Sequence, residues 1–559
     1  MTRSVQIVER MRWMSALAGA ALVAIALAIA LGATSGQIRL VQNSSAGATQ
    51  PGGSSAPLDP RIATLAARRP NAPVQAIVQF NAPVAPAKAE SDAAGVHGRV
   101  IGNLPIIHGL ALSLTASQAR SLASNPDVHA VSLNTTVNTE SLPFHMVPGQ
   151  TLSAAQLQTT YDQTLGVLPL WKFGVTGTGV GVAVVDTGVD GALPDFATKG
   201  HGNSRVVASA VANADATTAT DSYGHGTDVA GIIAGNGDNR GPGDPLYGRY
   251  IGVAPNANLI SVKVSDETGK ASVLDVIYGL QFAVEHQSQF NIRVINLSLD
   301  STTPQSYKTD PLDAAVEAAW MQGIVVVASA GNLGNASNAV QFSPANDPYV
   351  ITVGGVDENG SANPSGDSIA TWSSRGTTQD GIQKPDVYAP GAHIVSVLAP
   401  NSVFASSCTT CIVGNGQYIQ TSGTSMAAPA ISGLVADLLQ IHPNWTPDQI
   451  KGDLTSSAVT ENTSFQEPNA VKAALLWNPP TADQGLTPSS LINGATGAID
   501  YSRSSWSLSS WSRAKGPLRA GFALSSWNCA DCKADSSASA APSMSSWSMS
   551  SWSTVEPLG

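Results

Sequence analysis

The chain is 559 residues long, enough for about two to four domains of roughly 150 residues each. Hydrophobic residues make up 43% and charged residues only 12%, about half the ~25% of an average soluble domain, so a sizeable core can form and a mainly disordered acidic chain is excluded. With 28 Lys and Arg against 39 Asp and Glu, a formal net charge of -11, nucleic acid is excluded as the main partner, and four Cys cannot make a disulfide-dense scaffold of this size.

Arg3, Arg10 and Arg12 precede an uncharged apolar run over residues 13–31, and the small residues Ala33, Thr34, Ser35 and Gly36 follow it. Residues 1–36 therefore read as a cleaved secretory signal or, because the run is just long enough to span a bilayer, as an uncleaved anchor. Either reading puts the remainder outside the cytoplasm, and a membrane is a partner only under the second. Residues 37–57, rich in Ser, Gly, Ala and Pro, read as a linker. A small α+β unit follows within 58–149. Residues 74–80, 110–115 and 128–134 are expected strands. Residues 87–104 are expected to be helical in part, although Gly95, Gly98 and Gly102 weaken a helix there. Thr115 followed by Gln118 starts a short helix as a capping box.

Across 150–477 the pattern changes. Nearly continuous Val and Ile runs at 180–185, 259–264, 294–297 and 324–328 alternate with helix-like stretches at 273–287 and 311–322. Apolar strands alternating with helices predict a parallel sheet covered on both faces. A long apolar helix is expected over 425–441, and Thr446 with Pro447 and Gln449 caps another. The globular pattern fades near Trp477. Residues 478–559 carry Ser-Ser-Trp at 504–506, 509–511, 525–527, 545–547 and 550–552, a composition expected to be largely disordered.

Three short motifs carry chemistry. Asp186 ends the buried run at 180–185 and is followed by Thr187 and Gly188. His225 follows Gly224 and opens a helix-like stretch through Gly226 and Thr227. Ser425 stands in Ser422-Gly423-Thr424-Ser425 at the start of the apolar helix. A Ser hydroxyl is a poor nucleophile until a base takes its proton, a His has the pKa for that task, and a buried carboxylate fixes the His tautomer. The helix after Ser425 aims its N-terminal amides at developing negative charge. A fourth element is the run at 324–330 ending in Gly331 and Asn332, where an amide side chain is placed to donate to an oxyanion.

These residues resemble the subtilisin-like serine peptidases, the subtilase group, over about residues 150–477, and the chain order Asp, His, Ser is that family's. The resemblance implies a secreted serine endopeptidase with a parallel α/β core. In it Asp186 orients, His225 is base and acid, Ser425 is the nucleophile and Asn332 lines the oxyanion hole with the Ser425 amide. It implies protein or peptide substrates, no organic cofactor and a monomer. It also implies that the unit at 58–149 is a ferredoxin-like propeptide inhibitor domain, so that the chain's own propeptide is a partner and the maturation junction falls in 135–149. Substrate binding would use Ser298, Leu299, Asp300 and Gly331, with a mostly apolar first pocket.

Two departures stand out. Asp228 occupies the place of a second His, and Asp300 the place of a Gly after Ser298 and Leu299, where it would narrow the cleft or add charge. Calcium is common in the family as a structural ion. Asp195 matches one usual ligand position, and the loop holding Asn236, Asp238, Asn239 and Asp244 is a second source of oxygen ligands, although ordinary solvated polarity also accounts for it. Cys408 with Cys411 and Cys529 with Cys532 suggest either zinc or local disulfides, and an exported chain favours disulfides. A reading from another class is a surface adhesion protein that binds through its Ser-Ser-Trp tail and keeps the peptidase fold as a scaffold.

Overall fold

The computed structural model describes residues 55–81, 84–139, 160–198, 202–237, 243–244, 247–459 and 465–492, together with the backbone of Ser526–Cys529. The expected signal or anchor at 1–36, nearly all of the linker, most of the expected junction and the rest of the tail lie outside the described residues.

The small unit begins with α1 (Pro60–Arg68), capped by the Asp59 carboxylate, which accepts from the Arg61 amide at 2.8 Å. There follow β1 (Pro73–Phe80), α2 (Pro86–Gly95), β2 (Arg99–Leu104), β3 (Gly109–Thr115), α3 (Ala116–Leu122) and β4 (Val128–Leu133). The strands form one antiparallel sheet in the order β2-β3-β1-β4. Thr115 caps α3 as the spacing predicts: its hydroxyl accepts from the Gln118 amide, and the Gln118 side chain accepts from the Thr115 amide at 2.7 Å. The second half of the stretch read as helical is instead the strand β2. Ile62, Val78, Leu110, Leu112 and Leu122 fill the core between the sheet and its helices.

A short strand, β5 (Thr136–Asn138), leaves this unit and joins the larger one. The larger unit runs through β6 (Gly181–Asp186), β7 (Val206–Val211), α4 (His225–Ala234), β8 (Asn258–Lys263), β9 (Lys270–Ser272), α5 (Val273–Glu285), β10 (Ile292–Leu297), β11 (Asp300–Ser301) and α6 (Pro311–Met321). It continues through β12 (Val325–Ser329), β13 (Ile351–Asp357), β14 (Ser368–Ile369), β15 (Val387–Pro390), β16 (Ile394–Val397), β17 (Ile412–Val413), β18 (Tyr418–Thr421), α7 (Thr424–Ile441) and α8 (Pro447–Ser456). One last strand, β19 (Ser526–Cys529), comes from the tail.

The main sheet has the order β14-β13-β12-β10-β6-β8-β7-β19, with β15 also on β13. Its interior ladders are parallel, and only β14 and β19 add antiparallel edges. Every residue of β6 and β12 is buried, which requires cover on both faces. That cover comes from two helix pairs, α4 with α7 and α5 with α6. The apolar length of α7 is a core helix, with Leu434, Val435 and Leu438 fully buried. The tail segment β19 pairs antiparallel with β7, and backbone pairing of this kind does not depend on side-chain composition. The described fold also runs past residue 477. The Ser489 amide donates to the buried Glu317 carboxylate at 2.8 Å, and Lys451 pairs with Asp483 at 3.2 Å.

The small unit docks on the larger one through polar contacts as well as packing. Arg61 donates to Thr303 at 2.7 Å, Gln79 to the Thr309 carbonyl at 3.1 Å, and the Leu274 amide at the start of α5 to Asn134 at 3.0 Å. Beyond that contact, β5 lies between β9 and β11 as the middle strand of a three-stranded antiparallel sheet.

Candidate active site

In open parallel α/β sheets, ligands bind outside the carboxyl ends of the strands. Asp186 ends β6 there, fully buried. Its Oδ1 accepts from the Thr187 amide at 2.7 Å and lies 2.7 Å from Nδ1 of His225. A bond from Nδ1–H to this oxygen holds the imidazole in the tautomer that leaves Nε2 able to accept a proton.

His225 is the first residue of α4, and a second carboxylate sets how that helix begins. Asp221, buried, accepts from the amides of Gly224 and Thr227 and from the Thr187 hydroxyl, at 2.7, 2.7 and 2.8 Å. The Thr187 hydroxyl in turn accepts from the Gly226 amide at 2.8 Å. Strand β6 and helix α4 are thus fastened at their ends by one Asp and one Thr. Gly224 has φ 108, and a side chain there would start 2.7 Å from the Ser402 hydroxyl and 2.8 Å from Phe404, so only glycine fits. The Phe404 ring meets the His225 ring edge-on, with centroids 5.8 Å apart.

Ser425 is the second residue of α7, which packs on α4, so His225 and Ser425 stand at the N-terminal ends of two helices in contact. The Ser425 hydroxyl is buried and makes no hydrogen bond among the described residues. Its carbonyl accepts from the Ser298 hydroxyl at 3.0 Å, Ser298 accepts from Asn296 at 3.0 Å, and Asn296 accepts from Ser432 at 2.8 Å. This chain of bonds pins the start of α7 to the end of β10. Asn332 follows β12. Its Oδ1 accepts from the amide and hydroxyl of Thr424 at 3.0 and 3.1 Å, which commits the oxygen to the helix and turns Nδ2 the other way. The Thr424 hydroxyl also accepts from the Gly331 amide at 3.1 Å.

The remaining residues named from sequence fall as follows. Leu299 is fully buried, and Asp300 pairs with Asn138 across β11 and β5. Asp228 is fully buried one turn beyond His225. Its carboxylate accepts from Thr421 at 3.0 Å, and burial pushes it up to about 7 against the pull of His225. Asp195 serves the fold: its Oδ1 accepts from Tyr418 at 3.0 Å and from the Gly237 amide at 3.2 Å. The Asn236 side chain donates to the Ala197 carbonyl at 2.6 Å, while Asp238 and Asn239 lie outside the described residues. Among the described residues no three His, Cys, Asp or Glu side chains stand close enough to share a metal ion. Cys408 and Cys411 form a disulfide, which removes zinc as the reading of that pair. The side chain of Cys529 and all of Cys532 are outside the described residues.

Sequence reading named Thr187 only as the neighbour of Asp186 and did not single out Asp221, Asn296, Ser432 or Phe404. Asp221, Asn296 and Ser432 lie within seven residues of His225, Ser298 and Ser425, whereas Phe404 is near none of these.

A family model described as the subtilase family matches residues 177–484. The chain is 38% identical over 300 residues to "Serine protease AprX" of Bacillus subtilis (strain 168), a match covering 53% of this chain and 64% of that protein. It is 35% identical over 293 residues to "Subtilisin" of Bacillus pumilus, covering 52% of this chain and 88% of that one. Among solved structures, fervidolysin from Fervidobacterium pennivorans, described as a keratinolytic enzyme related to subtilisin, superposes with a TM-score of 0.56. It shares 25% identity, and the match covers 76% of this chain and 64% of that one. The chain spans slightly less than two thirds of the length of the first of these relatives.

Proposed function

The chain belongs to the subtilase family, and from that premise we propose that it is a secreted serine endopeptidase, made as a zymogen, that cuts protein substrates through an acyl-enzyme. The observation that carries the reading is the 2.7 Å contact between buried Asp186 and His225 at the foot of a helix packed on the one that Ser425 opens. His225 Nε2 takes the Ser425 proton as the hydroxyl attacks the scissile carbonyl. Asp186 holds the ring and stabilises the imidazolium, and the proton then passes to the leaving amine. The oxyanion is met by Asn332 Nδ2 and the Ser425 amide at the positive end of α7. Water repeats the sequence on the ester. No step calls for a cofactor.

The zymogen part of the reading rests on β5. This strand continues directly from the small unit and occupies the cleft edge between β9 and β11, pairing as an extended substrate would. Val137 on it is buried and Asn138 exposed, so alternate side chains enter the wall. The unit ending there is read as the propeptide. The apolar run at 13–31 supports export.

Treatment of the mature enzyme with a sulfonyl fluoride, followed by peptide mass mapping, tests the assignment. Casein cleavage should stop, with the adduct on Ser425. Cleavage that survives, or an adduct on another Ser, rejects it. Replacing Asn332 with Ala is expected to lower kcat by about 10²–10³, the loss typical of removing an oxyanion-hole amide in a subtilisin. KM should stay nearly unchanged, because the bond forms to the oxyanion and not to the ground state. Steady-state kinetics on one peptide checks it, and a change confined to KM would remove Asn332 from the oxyanion hole.

A further inference from the structure

We propose that Asp300 lines the pocket for the side chain on the acyl side of the scissile bond and selects Lys and Arg there, an inference that rests on the peptidase reading above. The sequence alone led to a mostly apolar first pocket, and the position of this carboxyl changes that expectation.

The placement comes from two contacts. Ser298 touches Ser425 through its hydroxyl, and Asp300 lies two residues further along the same extended segment. Asp300 Oδ2 stands 3.0 Å from the point where a side chain on Gly331 would begin, and Gly331 adjoins Asn332. The carboxyl therefore occupies the gap between the 298–301 wall and the Gly331–Asn332 wall. A carbonyl held by Asn332 and attacked by Ser425 sends its side chain into that gap.

The state of the carboxyl supplies the chemistry. Asp300 is 9% exposed, and its Oδ1 is buried with no hydrogen bond among the described residues. No Lys or Arg among the described residues pairs with it, and burial alone pushes it up to about 7. A desolvated carboxyl without a partner is costly, and a bound cation offsets that cost. The neighbouring groups are neutral: Leu299 and Ala330 are buried, and the Ser374 hydroxyl lies 3.2 Å from the same point beside Gly331. The methylene stem of Lys or Arg packs on such apolar surface while its head meets the carboxyl.

The experiment compares peptides that differ only at this position, carrying Arg, the neutral isostere citrulline, or Phe, on the mature enzyme and on Asp300→Asn. The expected result is kcat/KM for Arg over citrulline on the order of 10²-fold in the parent enzyme, collapsing toward unity in Asp300→Asn. Asp300→Gly should raise Phe cleavage by removing the group that narrows the gap. Equal rates on Arg and citrulline in the parent enzyme, which needs no variant to fold, overturn the proposal while leaving the peptidase reading intact. An unchanged ratio in Asp300→Asn assigns the preference to another group and also overturns it. Failure to cleave any peptide or casein, with no sulfonyl adduct on Ser425, brings down the peptidase reading and this inference with it.

Discussion

Ser425→Ala is expected to lower peptide turnover by about 10⁶, and to leave the protein as a precursor with the small unit at 58–139 still attached. The magnitude is that of nucleophile removal in subtilisin, a relative of this chain. The residual rate comes from the oxyanion donors and substrate positioning, which the substitution leaves in place. The second effect follows from the path of the chain. Strand β5 lies between β9 and β11 in the same chain as Ser425, so a cut following it would be intramolecular and would gain from high effective concentration. Ser298 and Asn332 would still hold the start of α7, since neither bonds the Ser425 hydroxyl in the resting structure. The variant should therefore fold, and a gel of the secreted product with N-terminal sequencing reads the outcome. A variant cut at the parent's site in a host lacking other peptidases would show that self-cleavage is not the route to maturation.

The chemistry-bearing residues were legible because each sits in a short motif whose backbone is locally determined. A carboxylate at the end of a Val-rich strand and a Ser at the start of an apolar helix need no tertiary knowledge to be noticed. What was not legible is the polar framework that aims them. Asp221 bonds to Thr187, 34 residues away, and Ser298 to Ser425, 127 residues away, and no sequence periodicity encodes such pairs. The same limit explains β2. Its Gly102 reads as a helix weakener, yet its role is to leave room for Tyr278 of α5, whose hydroxyl lies 1.6 Å from the position a side chain would take. The register of β2 on β3 shifts between Val100 and Gly102, so the glycine marks both an irregular strand and a docking contact. Asp300 was noticed as a departure, but its charge acquired meaning only once Gly331 and Asn332 were placed beside it.

Thermal stability is expected to be greatest in mild acid and to fall steadily as pH rises from about 4 to 8, because the fold buries carboxyl groups that have no cation. Asp453 is fully buried, neither oxygen accepts a hydrogen bond among the described residues, and burial pushes it up to about 8. Burial likewise pushes Glu358 up to about 7, and it raises Glu467 beside Asp367, and Asp162 and Asp437, above the usual carboxylate range. Each folded group holds its proton more tightly than the unfolded chain does. Between the unfolded value near 4 and the raised value the native state binds more protons, so unfolding free energy declines with pH. The stabilisation is complete below the unfolded value and lost once pH passes the folded one. Each such group removes up to about 1.4 kcal/mol per pH unit inside its window. The opposing groups are fewer: burial lowers His286 and His442, whose contribution runs the other way just below the usual imidazole value. Asp386 is buried, but Lys384 and Lys451 outweigh that and lower it, and backbone amides with Lys263 hold Glu267 down to about 2, so both lose their contribution only below pH 4. Melting curves of the inactive Ser425→Ala protein, which cannot digest itself, should show Tm at pH 5 above Tm at pH 8. Asp453→Asn keeps the shape and removes the proton, so it should flatten that slope without lowering Tm at pH 8. A Tm that rises from pH 5 to pH 8 would mean that these carboxyls find partners or water when they ionise.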